Sequence, residues 1–89
     1  MKLVRKVKVK NSLGLHTRPA ASIVKLLQPC KCSVQFTHKN ETINARSIMS
    51  ILMLAAKKNS VIEITMDGID AETTMENLVR AFDMEFGEK

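Results

Sequence analysis

The sequence predicts an α+β fold, an open-faced two-layer sandwich. A four-stranded antiparallel sheet carries three helices on one face, in the order β-α-β-β-α-β-α. Three observations predict it. Segments with apolar residues at every second position take turns with segments whose apolar residues recur every three or four positions, the spacings of strands and helices. Each helical segment has one apolar stripe, so each must lie against a common layer. The first strand turns its lysines to the opposite face, which leaves that side of the sheet to water.

Residues 2–10 read as the first strand, with Leu3, Val7 and Val9 on one face and Lys6, Lys8 and Lys10 on the other. Asn11 to Gly14 supply turn chemistry. From His16 to Leu27 the period becomes helical through Ala20, Ile23, Val24 and Leu27. Pro19 fits only in the first turn, where a missing N–H costs nothing, and Pro29 closes the segment. Residues 31–37 alternate again, with Cys32, Val34 and Phe36 on one face; "HKN" makes a hairpin turn and "ETIN" the return strand. "ARSIMSILMLAA", residues 45–56, gives a second helix with Ile48, Ile51, Leu52 and Ala55 on its stripe, and Asn59 supplies a left-handed turn that ends it. "SVIEITM" is the fourth strand and Asp67-Gly68 a turn. Asp70 is the expected N-cap of a third helix, with Glu72 in the first turn and a stripe of Ala71, Met75, Leu78, Val79, Phe82 and Phe86.

Eighty-nine residues are expected to make one domain over 1–89, with no linker, repeat or low-complexity tract. A chain of this size buries only roughly 60–65% of its unfolded surface. Hydrophobic content is 45% and charged content 26%, with no Trp or Tyr, which is globular composition and not disorder. The net charge is +5, and five of the first ten residues are Lys or Arg. That suits an acidic protein, a phosphorylated ligand or nucleic acid without choosing among them. No apolar run approaches the ~20 residues that span a membrane, and the charged N-terminus lacks a signal-peptide core, so the chain is expected in the cytoplasm. Cys30 and Cys32 form a C-x-C. No second Cys pair and no His-x-His offers further metal ligands, so reduced thiols beside a strand are expected and no metal or cofactor is called for.

"NSLGLHTRPAAS", residues 11–22, is the informative stretch: one of only two histidines stands where a strand gives way to a helix. The first N–H groups of a helix have no internal partners, and that end carries partial positive charge, which suits an anion. Thr17 and Arg18 supply such N–H groups, and Arg18 adds a guanidinium fork suited to phosphate oxygens. Gly14 permits a tight approach. A dipole and a cation beside the imidazole favour its neutral, nucleophilic form. A phosphoryl group taken up by His16 would become a dianion beside groups that stabilise it. A loop histidine with no role accounts for the pattern as well. No metal set or triad surrounds it, and His38 in "THKN" reads as a solvated turn residue.

"GLHTRPA", together with the element order and the length, closely resembles the histidine-containing phosphocarrier (HPr) family of the bacterial phosphoenolpyruvate-dependent sugar phosphotransferase system. The resemblance covers essentially the whole chain. It is strongest over residues 13–21, then in "NARSIMSILML" and "DGIDAE". It implies that His16 accepts a phosphoryl group on Nδ1 from enzyme I and passes it to IIA proteins or domains of sugar permeases. It implies that Arg18 and Thr17 hold the group and that Thr17, Pro19 and Ala20 shape the pocket. It implies a partner surface of Thr17, Ala20, Ile48, Met49 and Leu52, to which Lys25 adds a charged rim for acidic partners. It also matches Ser47 to a serine that a dedicated kinase phosphorylates in some bacteria; a serine there equally well only caps helix 2. Met49 is expected exposed and Leu52 at most partly so. Relatives often carry glycine at the positions of Ser50, Ala55 and Asn59, where this chain has none. The expected protein is a monomeric carrier whose partners catalyse the transfer, not an independent enzyme. A regulatory, nitrogen-type paralogue would share the same His16 chemistry. A small basic nucleic-acid-binding domain is the reading from another class; with Phe36, Phe82 and Phe86 its only aromatics, it lacks stacking residues and leaves the His16 loop unexplained.

Overall fold

The structure, a computed structural model, describes residues 1–88. Strands β1 (Lys2–Lys8), β2 (Ser33–His38), β3 (Glu41–Asn44) and β4 (Val61–Asp67) are joined by helices α1 (Thr17–Leu27) and α2 (Ile48–Met53), and α3 (Ala71–Asp83) follows, ending in a 3-10 turn at Glu85–Gly87. The sheet order is β1-β4-β2-β3, antiparallel throughout. This is the α+β architecture that the alternating periods predict.

The register explains which face closes. Leu3 lies opposite Met66 and Val7 opposite Ile62, while Phe36 lies between Ile43 and Ile64. These residues share one face, on which Ile23 and Leu27 of α1, Ile51 of α2 and Leu78 and Phe82 of α3 are buried. Phe36 meets Phe82 edge-on with ring centroids 5.9 Å apart. Burying each such side chain contributes about 1.5–3 kcal/mol. Lys6 and Lys8 stay exposed on the other face.

Four details differ from the sequence reading. Helix α2 is six residues long, not twelve: Ala55, placed on its stripe, is exposed and left-handed at φ +51. The Leu15 N–H takes the Ala56 carbonyl at 3.0 Å, so a contact from the His16 loop replaces the next helical turn. Asn59 is left-handed as expected, at φ +74. Asp70 stands at the N-cap position of α3 but makes no cap hydrogen bond. Phe86 lies beyond α3, in the terminal 3-10 turn at φ +52, and still packs on Phe82 at 4.9 Å. His38 closes β2 half-buried opposite Glu41; the turn itself is Lys39-Asn40, both with positive φ, as a tight two-residue hairpin requires.

Arg46, just before α2, ties the layers. Its guanidinium donates to the carbonyls of Leu27 (3.0 Å), Cys30 and Cys32 (2.8 Å). It therefore satisfies the end of α1 and the approach to β2 together.

Candidate functional site

The His16 loop is set by two close fits. Gly14 has φ +69, and a Cβ there would run into the Ala56 carbonyl oxygen. The tight approach that Gly14 permits is to the segment that follows α2. His16 is then the N-cap residue of α1 in extended conformation, and its carbonyl takes the Ala20 N–H at 3.0 Å. Its side chain caps nothing, so the imidazole is free to face outward. Thr17 and Arg18 occupy the first two helical positions with Pro19 third, the region where backbone N–H groups have no helical acceptor.

The ring does not face open water. Its Nε2 lies 3.2 Å from Glu88 Oε1 and 3.0 Å from Glu88 Oε2. Nδ1 has no protein partner among the described residues. Arg18 Nε is 3.8 Å from the same carboxylate, with the rest of its side chain in solvent. Asn11, buried beneath, donates from Nδ2 to Glu88 Oε1 at 2.6 Å and to the Glu85 carbonyl at 2.9 Å. Glu88, only 20% exposed, is held below the usual carboxylate range, first by the Asn11 hydrogen bond; burial opposes this next, and His16 and then Arg18 add to the lowering. A cleft of about 340 Å³ between Leu13, His16, Arg18 and the Glu85–Glu88 segment opens here. The larger hollow, between β1 and α3 at Leu3, Arg5 and Glu76, lies away from this chemistry.

The other sequence-selected residues distribute unevenly. Thr17 and Lys25 are exposed on α1. Ala20 is 0% exposed and belongs to the core, so it supports the loop from beneath and presents nothing to a partner; that assignment is corrected. Helix α2 packs on α1 and exposes Met49 (70%), with Ile48 at the margin and Leu52 half-buried. Ser47 is the N-cap of α2, and its Oγ accepts the Ser50 N–H at 3.2 Å. Sequence reasoning missed Leu13, 76% exposed beside the histidine, although a bulky apolar residue among turn formers was a signal. It also missed Asn11 and Glu88 as site residues, because no local pattern brings a C-terminal segment to a residue near the start.

Cys30 and Cys32 are buried free thiols with their sulphurs 2.8 Å apart. Burial first, and then the neighbouring Cys30 and Asp70, push the Cys32 thiol up to about 12.

The fold is an open-faced sheet whose helical layer presents a histidine at a helix N-terminus, with arginine alongside. Comparison with known proteins makes the class specific. Residues 3–83 match the model of the PTS HPr component phosphorylation site, and the chain belongs to the HPr phosphocarrier family. It is 44% identical over 80 residues to the phosphocarrier protein HPr of Chlamydia muridarum, covering 90% of this chain and 77% of that one. It is 35% identical to HPr of Xylella fastidiosa, over 97% of both chains. Among solved structures, HPr-C-His from Thermoanaerobacter tengcongensis superposes with a TM-score of 0.93 at 31% identity, over 98% of both chains. The family places the chain in the phosphotransferase system as a phosphocarrier, which implies partners such as enzyme I and IIA proteins. No helix among the described residues is long and apolar enough to cross a membrane.

Proposed function

We propose that His16 is the phosphoryl-accepting residue, charged by phospho-enzyme I and discharged to IIA proteins or domains of sugar permeases. One observation carries the reading: the imidazole at the head of α1 has a carboxylate on Nε2 and, among the described residues, no partner on Nδ1. A neutral ring that donates Nε2–H to Glu88 leaves the lone pair on Nδ1. That nitrogen attacks the phosphorus of the donor's phosphohistidine as the donor's P–N bond breaks, and the reverse exchange delivers the group onward. The N–H groups of Thr17 and Arg18 and the Arg18 guanidinium supply positive charge where the transferred dianion rests. Arg18 is drawn toward a carboxylate already, so its turn to a phosphoryl oxygen is a small motion.

Partner contact is assigned to the surface of Leu13, Thr17, Lys25, Ile48, Met49 and Leu52. Methionine adapts to several partners in succession, which a carrier needs. The chain is taken to act as a monomer in the cytoplasm. Ser47 is a subordinate site for regulatory phosphorylation: a phosphate there would replace the Ser50 cap by a dianion beside the partner surface.

The test is transfer of label from phosphoenolpyruvate with enzyme I and Mg2+, in wild type and His16→Ala. Acid-labile, alkali-stable label on the wild type alone is expected. A folded wild type that stays unlabelled with the enzyme I of its own organism would overturn the assignment. Which enzyme I and which IIA exchange phosphate with it separates sugar-type from regulatory carriers.

A further inference from the structure

A second cluster lies apart from His16. Cys30 and Cys32 stand just before β2, and Asp70 comes to them from the head of α3. The two sulphurs and a carboxylate oxygen all lie within 4.8 Å of one another. The C-x-C alone offered too few ligands for a metal; the fold supplies the third from far along the chain. Asp70 Oδ2 accepts the Lys31 N–H at 2.8 Å, while Oδ1 is buried with no hydrogen-bond partner among the described residues. The carboxylate has given up its expected capping role for this position. A cavity of about 200 Å³ reaches Cys30 and Asp70 between Leu26, Pro29 and Asn77. Arg46 Nη2 lies 3.1 Å from Cys30 Sγ.

We propose that Cys30, Cys32 and Asp70 form a binding site for one thiophilic divalent cation of the Zn2+ type. Two thiolates and one carboxylate are a ligand set that such an ion accepts, and sulphur ligands argue against Ca2+ or Mg2+. The fourth position faces the cavity, where water can complete a tetrahedron. Charge favours the same ion. Two thiolates and a carboxylate carry three negative charges; a divalent cation and the Arg46 guanidinium carry three positive ones. A neutral buried cluster avoids the desolvation cost of an unpaired charge. Arg46 also donates to a ligand sulphur, as outer-sphere groups at metal sites do. Each thiol releases its proton to solvent as its sulphur lone pair binds the cation, and no electron moves. Sulphurs on one tetrahedral Zn2+ stand about 3.8 Å apart. Binding therefore turns Cys30, which borders the cavity, outward by about 1 Å. The bound ion would clip the junction of α1 and β2 to the head of α3.

The reduced, chelator-washed full chain is titrated with Co2+ and then with Zn2+. The expected result is one Co2+ per chain, bound with release of two protons, with thiolate-to-metal charge-transfer absorption and the intense visible bands of a four-coordinate ion, bleached by Zn2+ with no further proton release. Zn2+ at ~100-fold its Kd should raise the thermal midpoint by roughly 10 °C or more. Asp70→Asn keeps an acceptor for Lys31 and should weaken binding about 10-fold or more. Cys30→Ser and Cys32→Ser should each abolish the charge-transfer band; the first, at the cavity edge, keeps the test sound if the second unfolds, and circular dichroism of the metal-free variants checks folding. His16→Ala should bind as wild type. The proposal is overturned if a chain with both thiols reactive takes up no Co2+, if the absorption lacks the sulphur band, if Asp70→Asn binds unchanged, or if His16→Ala removes the signal.

Discussion

Replacing Gly14 with alanine tests whether the histidine loop is held by its fit against the end of α2. Gly14 is at φ +69, and the added Cβ would meet the Ala56 carbonyl oxygen, which already accepts the Leu15 N–H at 3.0 Å. The left-handed conformation costs an alanine about 1–2 kcal/mol. Stiffening of the unfolded chain returns roughly 0.4–1 kcal/mol of that. The Cβ meets backbone, which cannot swing aside as a side chain can, so the Leu15–Ala56 hydrogen bond is stretched or lost, at about 1 kcal/mol. The sum is a loss of about 2 kcal/mol, a fall in Tm of roughly 8–16 °C for a domain of this size. Thermal and urea melts followed by far-UV circular dichroism give the value, and the rate of label transfer to His16 is read below the transition. Transfer should slow as well, since the N-cap position of His16 depends on the loop. A Tm within about 2 °C of wild type would refute the reasoning, for it would mean that the loop holds its place without this contact.

Three further outcomes are expected. Ala55→Gly removes left-handed strain at φ +51 and should raise stability by about 0.5–1 kcal/mol, or roughly 4 °C in a melt; a fall would mean that Ala55 rests there without strain. Glu88→Gln should lower stability at neutral pH. Because the folded carboxyl titrates below its ordinary 4.5, its contribution is present above that pH and fades as acid protonates the folded group, so melts of wild type and variant should converge as the pH falls below 4.5; a gap independent of pH sinks the ion-pair reading. Met49→Lys should leave the melt within about 0.5 kcal/mol, the side chain being exposed, while weakening enzyme I binding roughly 10-fold in calorimetry; unchanged affinity would move the docking surface off α2.

The sheet and helices were legible because each buries one face, and burial writes its period into the sequence: Leu3, Val7 and Val9, or Ile23 and Leu27, can be read in no other way. What escaped depends on contacts between distant segments. Ala55 is a good helix former, yet the helix stops before it because Leu15 claims the Ala56 carbonyl. Asp70 has every local credential of a cap, but Lys31 takes its carboxylate. His16, Thr17 and Arg18 were legible as a group because the head of a helix is made of neighbours in sequence. Glu88 was not, since its place beside His16 requires the left-handed turn at Glu85 and Phe86 that folds the C-terminal segment back.

The brace made by Arg46 has a consequence for speed. From the residue that leads into α2, one guanidinium holds the last carbonyl of α1 and the approach to β2, so the two helices carrying His16 and Met49 are tied to each other. A surface braced in this way loses less conformational freedom on contact than a loose one, which favours encounters limited by diffusion and orientation over ones limited by rearrangement. A carrier shuttling between donor and acceptors must meet and leave each within one transfer cycle. The Arg46 brace suits brief contacts, without the slow reshaping that tight and lasting complexes tolerate.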